Sequence, residues 1–294
     1  MKPASFKYIL ARTLDDALAA KTEHGDEARF LAGGQSLVPT MNFRLAQPAI
    51  LIDINPIAAL SGVRDGASIR IGALTRYRML EADPLIAARQ PILREALPHI
   101  AHPQIRNRGT LGGNLAHADP ASEMPAIMLA LGARMRLQSA ANDRWVDAND
   151  FFVSAMETAL RPDEMLTEID IPDSPPGTGT CFMEVARRQG DFAQAGVAAI
   201  VTLGADGKCG GVRLAFCGVA ERPFHADAAA QSLIGGDGSD DSFRQAAELA
   251  MAALNPPGST HASAGYQRHL AGVLARRALT TAHARATTEV RRDH

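Results

Sequence analysis

The segment Ile105-Arg106-Asn107-Arg108-Gly109-Thr110-Leu111-Gly112-Gly113-Asn114 places three glycines within five residues, beside a hydroxyl and between two amide side chains. Glycine lets a backbone take positive φ and approach a ligand closely, so that successive N–H groups can converge on an anion. About 75 residues earlier, Leu31-Ala32-Gly33-Gly34-Gln35-Ser36-Leu37 repeats the same chemistry. Two such turns point to one ligand held from two sides, and a diphosphate fits. A turn that is only structural rarely needs Gly109, Gly112 and Gly113 together with Thr110 and Asn114. Arg106 and Arg108 are candidates for added positive charge, or for surface ion pairs.

Other candidate chemistry is thinner. Arg187-Arg188-Gln189-Gly190-Asp191-Phe192-Ala193 reads either as a polar hairpin end or as a turn in which Asp191 positions Phe192 over a flat ring system. Gln35 either faces the ligand or braces its own turn. His117, Asp119 and Glu123 lack a metal-ligand spacing such as H-E-x-x-H, so no metal is expected. Asp119 precedes Pro120, which reads as a helix cap or a ribose contact. Neither G-x-G-x-x-G after a strand nor G-x-x-x-x-G-K-[ST] occurs, which argues against a Rossmann dinucleotide site and against P-loop hydrolysis. No nucleophile with an adjacent base and no catalytic carboxylate pair emerges, so no catalytic residue is assigned and a bound cofactor must carry any chemistry.

The elements around these motifs follow from periodicity. Phe6 to Leu10 reads as a strand, and Thr13 caps a helix running to His24 with Gly25 as its stop. Ala28 to Ala32 is a strand leading into Gly33-Gly34, and Ser36 starts a helix with Pro39 in its first turn. Strand, glycine pair, helix start is an arrangement that receives phosphate. Ile50 to Ile54 is a buried strand closed by Asn55-Pro56. Gly62-Val63 and Ser68 to Gly72 form a hairpin around Asp65-Gly66. Helical pattern covers Thr75 to Ala82 and Ile92 to Ile100, and Pro103 to Asn114 reads as a glycine-rich loop. Pro120 to Ala130 is a helix with Met124, Ile127, Met128 and Leu131 on one side. Ala133 to Gln138, Arg144 to Val146 and Met165 to Ile171 are strands, with Asn149 capping a short turn at Phe151-Phe152. Pro172 to Gly179, with three prolines and two glycines, is the linker. Beyond it come a meander (Cys181 to Arg187, Gly196 to Leu203, Gly211 to Val219) and helices over Ala226 to Ile234, Ser242 to Leu254 and Ala262 to about Ala284. The polar tail Thr287 to His294 is expected to fray.

Composition narrows the class. Hydrophobic residues make up 46% and charged residues 21% of 294, and the formal net charge is −2. That is an ordinary globular balance, with no reason to expect nucleic acid as a partner. The first sixteen residues lack the apolar run of a signal peptide, and no apolar stretch is long enough for a membrane span. Cys181, Cys209 and Cys217 have neither C-x-x-C spacing nor an even count, so a cytoplasmic chain without disulfides, zinc or iron–sulfur ligands of its own is expected.

At Ala32-Gly33-Gly34-Gln35-Ser36, Asn107-x-Gly109-Thr110-Leu111-Gly112-Gly113-Asn114 and Arg187-x-x-Gly190-Asp191-Phe192-Ala193 the chain resembles the FAD-binding medium subunits of molybdenum hydroxylases, the family of xanthine dehydrogenase and carbon monoxide dehydrogenase. The resemblance spans nearly the whole chain. It implies an α+β fold: a two-lobed p-cresol methylhydroxylase-type FAD-binding domain over residues 1–176, with lobes of about 1–57 and 58–176, then a C-terminal domain over 177–294 with a three-stranded antiparallel sheet and helices. It implies cofactor contacts from Ala32, Gly33, Gly34, Gln35, Ser36, Leu37, Asn107, Gly109, Thr110, Leu111, Gly112, Gly113, Asn114, Asp119, Glu123, Leu166, Asp191 and Phe192, with Phe192 covering the flavin ring. It further implies an oxidoreductase complex with a large molybdopterin-binding subunit and a small subunit carrying two [2Fe–2S] clusters, as a dimer of heterotrimers that passes electrons through FAD to an external acceptor. Two positions depart from the family pattern: Glu123 stands where many relatives have aspartate, and Glu184 where many have lysine. Gln35 stands where covalent flavoproteins of the wider fold often carry histidine, so dissociable FAD is expected. The rival readings are a self-sufficient FAD oxidase or dehydrogenase of the same wider fold, and a non-redox scaffold. Gly112→Val or Gly113→Val is expected to abolish FAD binding while the chain still folds.

Overall fold

The computed structural model describes residues 1–292, with side chains through residue 290. Three sheets organise the chain. The first is parallel, ordered β1 (Lys7–Leu10), β3 (Ile50–Asp53), β2 (Ala28–Leu31). Helix α1 (Leu14–His24) connects β1 to β2, starting on a Thr13–Asp16 capping box and ending at Gly25 with φ +51°. Helix α2 (Leu37–Asn42) follows the first glycine turn.

The second sheet is antiparallel. Strands β4 (Val63–Arg64) and β5 (Ser68–Gly72) form its hairpin. Five short helices follow: α3 (Tyr77–Ala82), α4 (Pro84–Arg89), α5 (Pro91–Ala96), α6 (Pro103–Arg106) and α7 (Leu111–His117). Then come α8 (Glu123–Leu131), β6 (Arg134–Gln138), β7 (Asp143–Asp147), α9 (Ala148–Phe151), a small ribbon β8 (Phe152–Ser154) and β9 (Glu157–Thr158), and β10 (Met165–Pro172). The sheet order is β4-β5-β10-β6-β7, so the last strand closes the middle. One face of β10 is apolar, and on the other Glu168 and Asp170 are held by Arg64, Arg136, Arg134 and Arg70. Buried carboxylates paired in this way brace a sheet and are not free for chemistry.

The third sheet is a meander of β11 (Thr178–Ala186), β12 (Ala193–Leu203) and β13 (Cys209–Cys217), extended by a two-residue β14 (Phe224–His225). Helices α10 (Asp227–Gln231), α11 (Asp240–Ala253) and α12 (Ala264–Arg292) pack on one face. The opposite face shares a core with α5, α8 and the second sheet, through Phe182, Ala198, Ala215 and Cys217. Helix α8 is buried at all nine positions, consistent with its place between layers and unlike the one-sided pattern expected from sequence.

Three local expectations are corrected. Pro103 to Asn114 is not a loop but two short helices around a turn, because Thr110 caps α7 and brings Gly112 and Gly113 into it. The helix cap before Phe151 is Asp147, not Asn149. Thr287 to Arg292 continues α12, since Ala286 is buried and Val290 packs on the core beside Gly177; Asp293 and His294 lie outside the described residues. No helix among the described residues is long and apolar enough to cross a membrane.

Candidate functional site

The two glycine turns touch. A Cβ on Gly33 would stand 2.3 Å from the Arg108 carbonyl oxygen and 2.9 Å from Gly109 Cα, so the first turn lies directly on the backbone of the second. A Cβ on Gly113 would come within 3.7 Å of Ala32 Cβ. Asn55, just after β3, donates from Nδ2 to the Ala32 carbonyl at 2.8 Å. Arg76 donates to Asn55 Oδ1 at 2.8 Å and also to the Arg108 carbonyl, stitching one sheet's turn to the other's. Burial and the neighbouring guanidinium groups of Arg108 and Arg78 lower the Arg76 pKa from its ordinary value. Asp53 is the carboxylate that offsets this; three guanidinium groups against one carboxylate still leave positive charge that favours an anion.

The two turns differ in what they offer. In the first, Gly34 has φ +74°, and the consecutive N–H groups of Gly33, Gly34, Gln35, Ser36 and Leu37 find no acceptor among the described residues. Gln35 braces this turn by donating from Nε2 to the Gly33 carbonyl at 2.9 Å. The Ser36 hydroxyl makes no cap bond and stays exposed. Such a row of free N–H groups is an anion cradle.

In the second turn the chain takes its own donors. The N–H groups of Leu111, Gly112 and Gly113 go to the Thr75 carbonyl (3.0 Å), the Ala73 carbonyl (2.9 Å) and Thr110 Oγ1 (3.1 Å). Asn107, Gly109 and Asn114 donate to Pro103, Ile105 and Thr110. Gly112 is therefore required by packing: a Cβ there would sit 2.4 Å from Ala73 Cβ and 2.7 Å from Ala73 Cα. What this turn has left to donate is the Thr110 N–H, which finds no acceptor among the described residues, and the Thr110 O–H, whose oxygen already accepts from Gly113; the Asn114 Oδ1 is buried without a partner and can only accept. Arg106 is committed to Glu81 at 2.8 Å and to the carbonyls of Ile100 and Ala101.

The remaining sequence candidates divide. Asp119 Oδ1 accepts from Ala121 N–H at 2.9 Å, closing the turn before α8, while Ser122 is that helix's cap position. Asn114 Nδ2 donates to Ser122 Oγ at 2.6 Å, which places Glu123 one residue beyond the second turn's network. Burial pushes the Glu123 carboxyl up to about 7. Leu166 is a core residue at a bulge of β10, next to Thr167, whose carbonyl accepts from Ala73 N–H at 3.0 Å. Asp191 pairs with Arg187 at 3.3 Å, and its N–H donates to the Arg188 carbonyl at 3.1 Å, which shapes the hairpin end. Gly190 (φ +85°) sets this end against Ala101 and His102, the entry to α6, and Phe192 stands 66% exposed there.

Sequence reasoning missed Arg76 and Asn55. Neither belongs to a local motif, and their role arises only when the two sheets meet. A groove of about 670 Å³ between α11 and α12 includes no residue of either turn. No His/Cys/Asp/Glu metal cluster occurs among the described residues, and the three cysteines are buried and free.

Residues 4–174 match the family described as FAD binding domain in molybdopterin dehydrogenase, and residues 180–282 match the CO dehydrogenase flavoprotein C-terminal domain. The chain is 40% identical to the 6-hydroxypseudooxynicotine dehydrogenase complex subunit alpha of Paenarthrobacter nicotinovorans, covering 100% of both. It is also 40% identical to the carbon monoxide dehydrogenase medium chain of Afipia carboxidovorans, over 97% of this chain and 99% of that one. The fold superposes on reconstituted CO dehydrogenase from Oligotropha carboxidovorans with a TM-score of 0.94 at 40% identity, covering 97% of this chain and 100% of that chain. With glycine turns suited to a diphosphate and with these matches along its length, the chain belongs to the family of FAD-binding subunits of the molybdenum hydroxylases.

Proposed function

We propose that this chain holds FAD non-covalently and relays electrons from the [2Fe–2S] clusters of a small partner subunit to an external acceptor, while a large molybdopterin-binding partner oxidises the substrate. The observation that carries the reading is the row of five free N–H groups at Gly33–Leu37 lying on the second turn. A diphosphate fits this cradle, with the Thr110 hydroxyl and the positive charge of Arg76 and Arg108 adding to it. Bound FAD supplies the redox chemistry. The chain binds it, orients it and limits its exposure to water.

In this reading the first turn (Ala32 to Leu37) grips the diphosphate through its N–H groups, the second (Asn107, Gly109 to Asn114) lies against it and contributes Thr110, and Asp119, Glu123 and Leu166 lie along the cofactor. Asp191 places Phe192 on the flavin ring, which accounts for the exposure of that ring. Residues 1–176, with lobes of about 1–57 and 58–176, form the FAD-binding domain, and residues 177–294 the C-terminal domain. Free buried thiols fit a cytoplasmic setting. Relatives at the same 40% identity carry different substrate names, as expected of a chain that never touches the substrate. Assembly as a dimer of heterotrimers completes the reading.

The test is reduction of bound flavin. Purified alone with FAD, the chain should stay oxidised when offered carbon monoxide, purines, N-heterocycles or aldehydes, and should be reduced only with its co-purifying partner polypeptides present. Reduction of the lone chain by one of these substrates would instead establish a self-sufficient oxidase or dehydrogenase.

A further inference from the structure

Glu184 on β11 is buried, with 2% of its side chain exposed, and its Oε2 has no hydrogen-bond partner. It lies in register with Gly196 of β12 and Cys217 of β13, and both side chains lean over the bare glycine. The Gly218 N–H, next to Cys217, donates to the Pro120 carbonyl at 2.7 Å, which brings the approach to α8 against this end of the sheet; Glu123 is the first residue of that helix and is itself 4% exposed. No lysine or arginine pairs with either carboxyl among the described residues; the one basic neighbour is His99, 3.8 Å from Glu184 Oε1. Two further polar atoms on this side of the junction are orphaned: the Tyr77 hydroxyl, on a ring against Gly109, and Asn114 Oδ1, in α7, whose Nδ2 donates to Ser122 next to Glu123. A folded chain seldom leaves such atoms unpaired, because each forfeits the hydrogen bonds it made to water. Three of them at one junction mark a place that a polar ligand completes.

The other titratable groups facing this pair are Tyr77, Asp119, Cys217 and His99, with Glu95 beyond His99. Burial raises the Tyr77 hydroxyl and the Cys217 thiol well above their usual ranges and lowers His99. The same burial, reinforced by the charge of Glu123, pushes Glu184 up to about 8. Burial thus raises both carboxyls toward the neutral range, Glu123 to about 7 and Glu184 to about 8.

We propose that Glu123 and Glu184 form a proton-holding pair across the junction of the two domains that takes up a proton when the neighbouring flavin is reduced. This rests on the reading that the turns hold FAD. When a chemical reductant such as dithionite delivers two electrons, one proton goes to the flavin. A second, from solvent, forms an O–H bond on the carboxylate pair and offsets the new negative charge. Below about pH 7 the pair is already protonated and takes nothing further; above about pH 8 it begins empty and fills on reduction.

The experiment is redox potentiometry of the FAD-loaded chain against pH, for wild type and Glu184→Gln. In wild type the midpoint potential should gain one extra proton per electron pair above about pH 8, a steepening of roughly 30 mV per pH unit. In Glu184→Gln, which keeps the shape and removes the titration, that steepening should vanish. Infrared difference spectra of wild type at high pH supply a readout independent of the variant: a protonated-carboxyl signal should grow on reduction. Equal slopes, or no such signal, with FAD bound would overturn the proton pair alone. Failure of the wild-type chain to bind FAD would overturn the functional reading beneath it.

Discussion

Gly33→Ala is the sharpest perturbation of the site. Its new methyl would stand 2.3 Å from the Arg108 carbonyl oxygen and 2.9 Å from both the Arg108 carbonyl carbon and Gly109 Cα. All three are backbone atoms, so no rotamer change relieves the overlap and the turns must part. Overpacking of this kind costs about 1–3 kcal/mol, which leaves a chain of ordinary stability folded. The cradle loses more. Charge-assisted bonds from N–H to phosphate are worth about 1.5–3 kcal/mol each. Misaligning two of the five free donors therefore removes about 3–6 kcal/mol, or roughly 10²–10⁴-fold in Kd. Titration of the apo-chain with FAD, followed by flavin fluorescence, measures this directly, with thermal melting alongside to verify the fold. Gly265→Ala, where a Cβ meets nothing within 4 Å, is the control and should bind as wild type. If Gly33→Ala bound FAD with unchanged affinity while folded, the assignment of the turn contact as the diphosphate site would be refuted.

Other outcomes follow from the same contacts. Gly112→Val should lower the melting temperature as well as abolish FAD binding, because its Cβ would overlap Ala73 Cα and carbonyl oxygen at 2.7 Å; this replaces the sequence-based expectation of a folded, FAD-free variant, and a fully stable variant would contradict it. Arg76→Ala should weaken FAD by roughly 10–100-fold, the worth of about one charged hydrogen bond, with calorimetric titration as the check. Phe192→Ala should retain FAD yet shift its potential or its reactivity with oxygen, and identical redox titrations would place the flavin ring elsewhere. Chain stability should fall as pH rises from about 5 to 8, because Glu123, raised to about 7, and Glu184, raised to about 8, hold protons in the folded state that the unfolded state releases near 4.5. Glu184→Gln should reduce that slope in denaturant titrations and leave the part below about pH 7 that Glu123 supplies.

Much of this was legible in the residues themselves. Gly33-Gly34 announces its own role: positive φ at Gly34 and a hydroxyl two residues on are local properties. The Thr13 cap and the Gly25 stop are equally local, so the helix they bound came through. Long-range contacts did not. Gly112 looks like a ligand glycine in sequence, yet its reason for being glycine is Ala73, brought to it by the second sheet. The second turn's N–H groups look available until the Thr75 and Ala73 carbonyls arrive. Arg76 and Asn55 carry no motif and acquire meaning only where the sheets meet. The polar tail from Thr287 reads as frayed because the apolar surface that holds Ala286 and Val290 is supplied by distant strands. Glu184 stands in a strand otherwise patterned for burial, and only its missing cation distinguishes it from the paired Glu168 and Asp170.

The most direct measurement is a crystal structure of the FAD-loaded chain. The diphosphate should lie within hydrogen-bond reach of the N–H groups of the Gly33–Leu37 turn, with Thr110 on its other side. A flavin nucleotide seated elsewhere, with those N–H groups facing only solvent, would contradict the account.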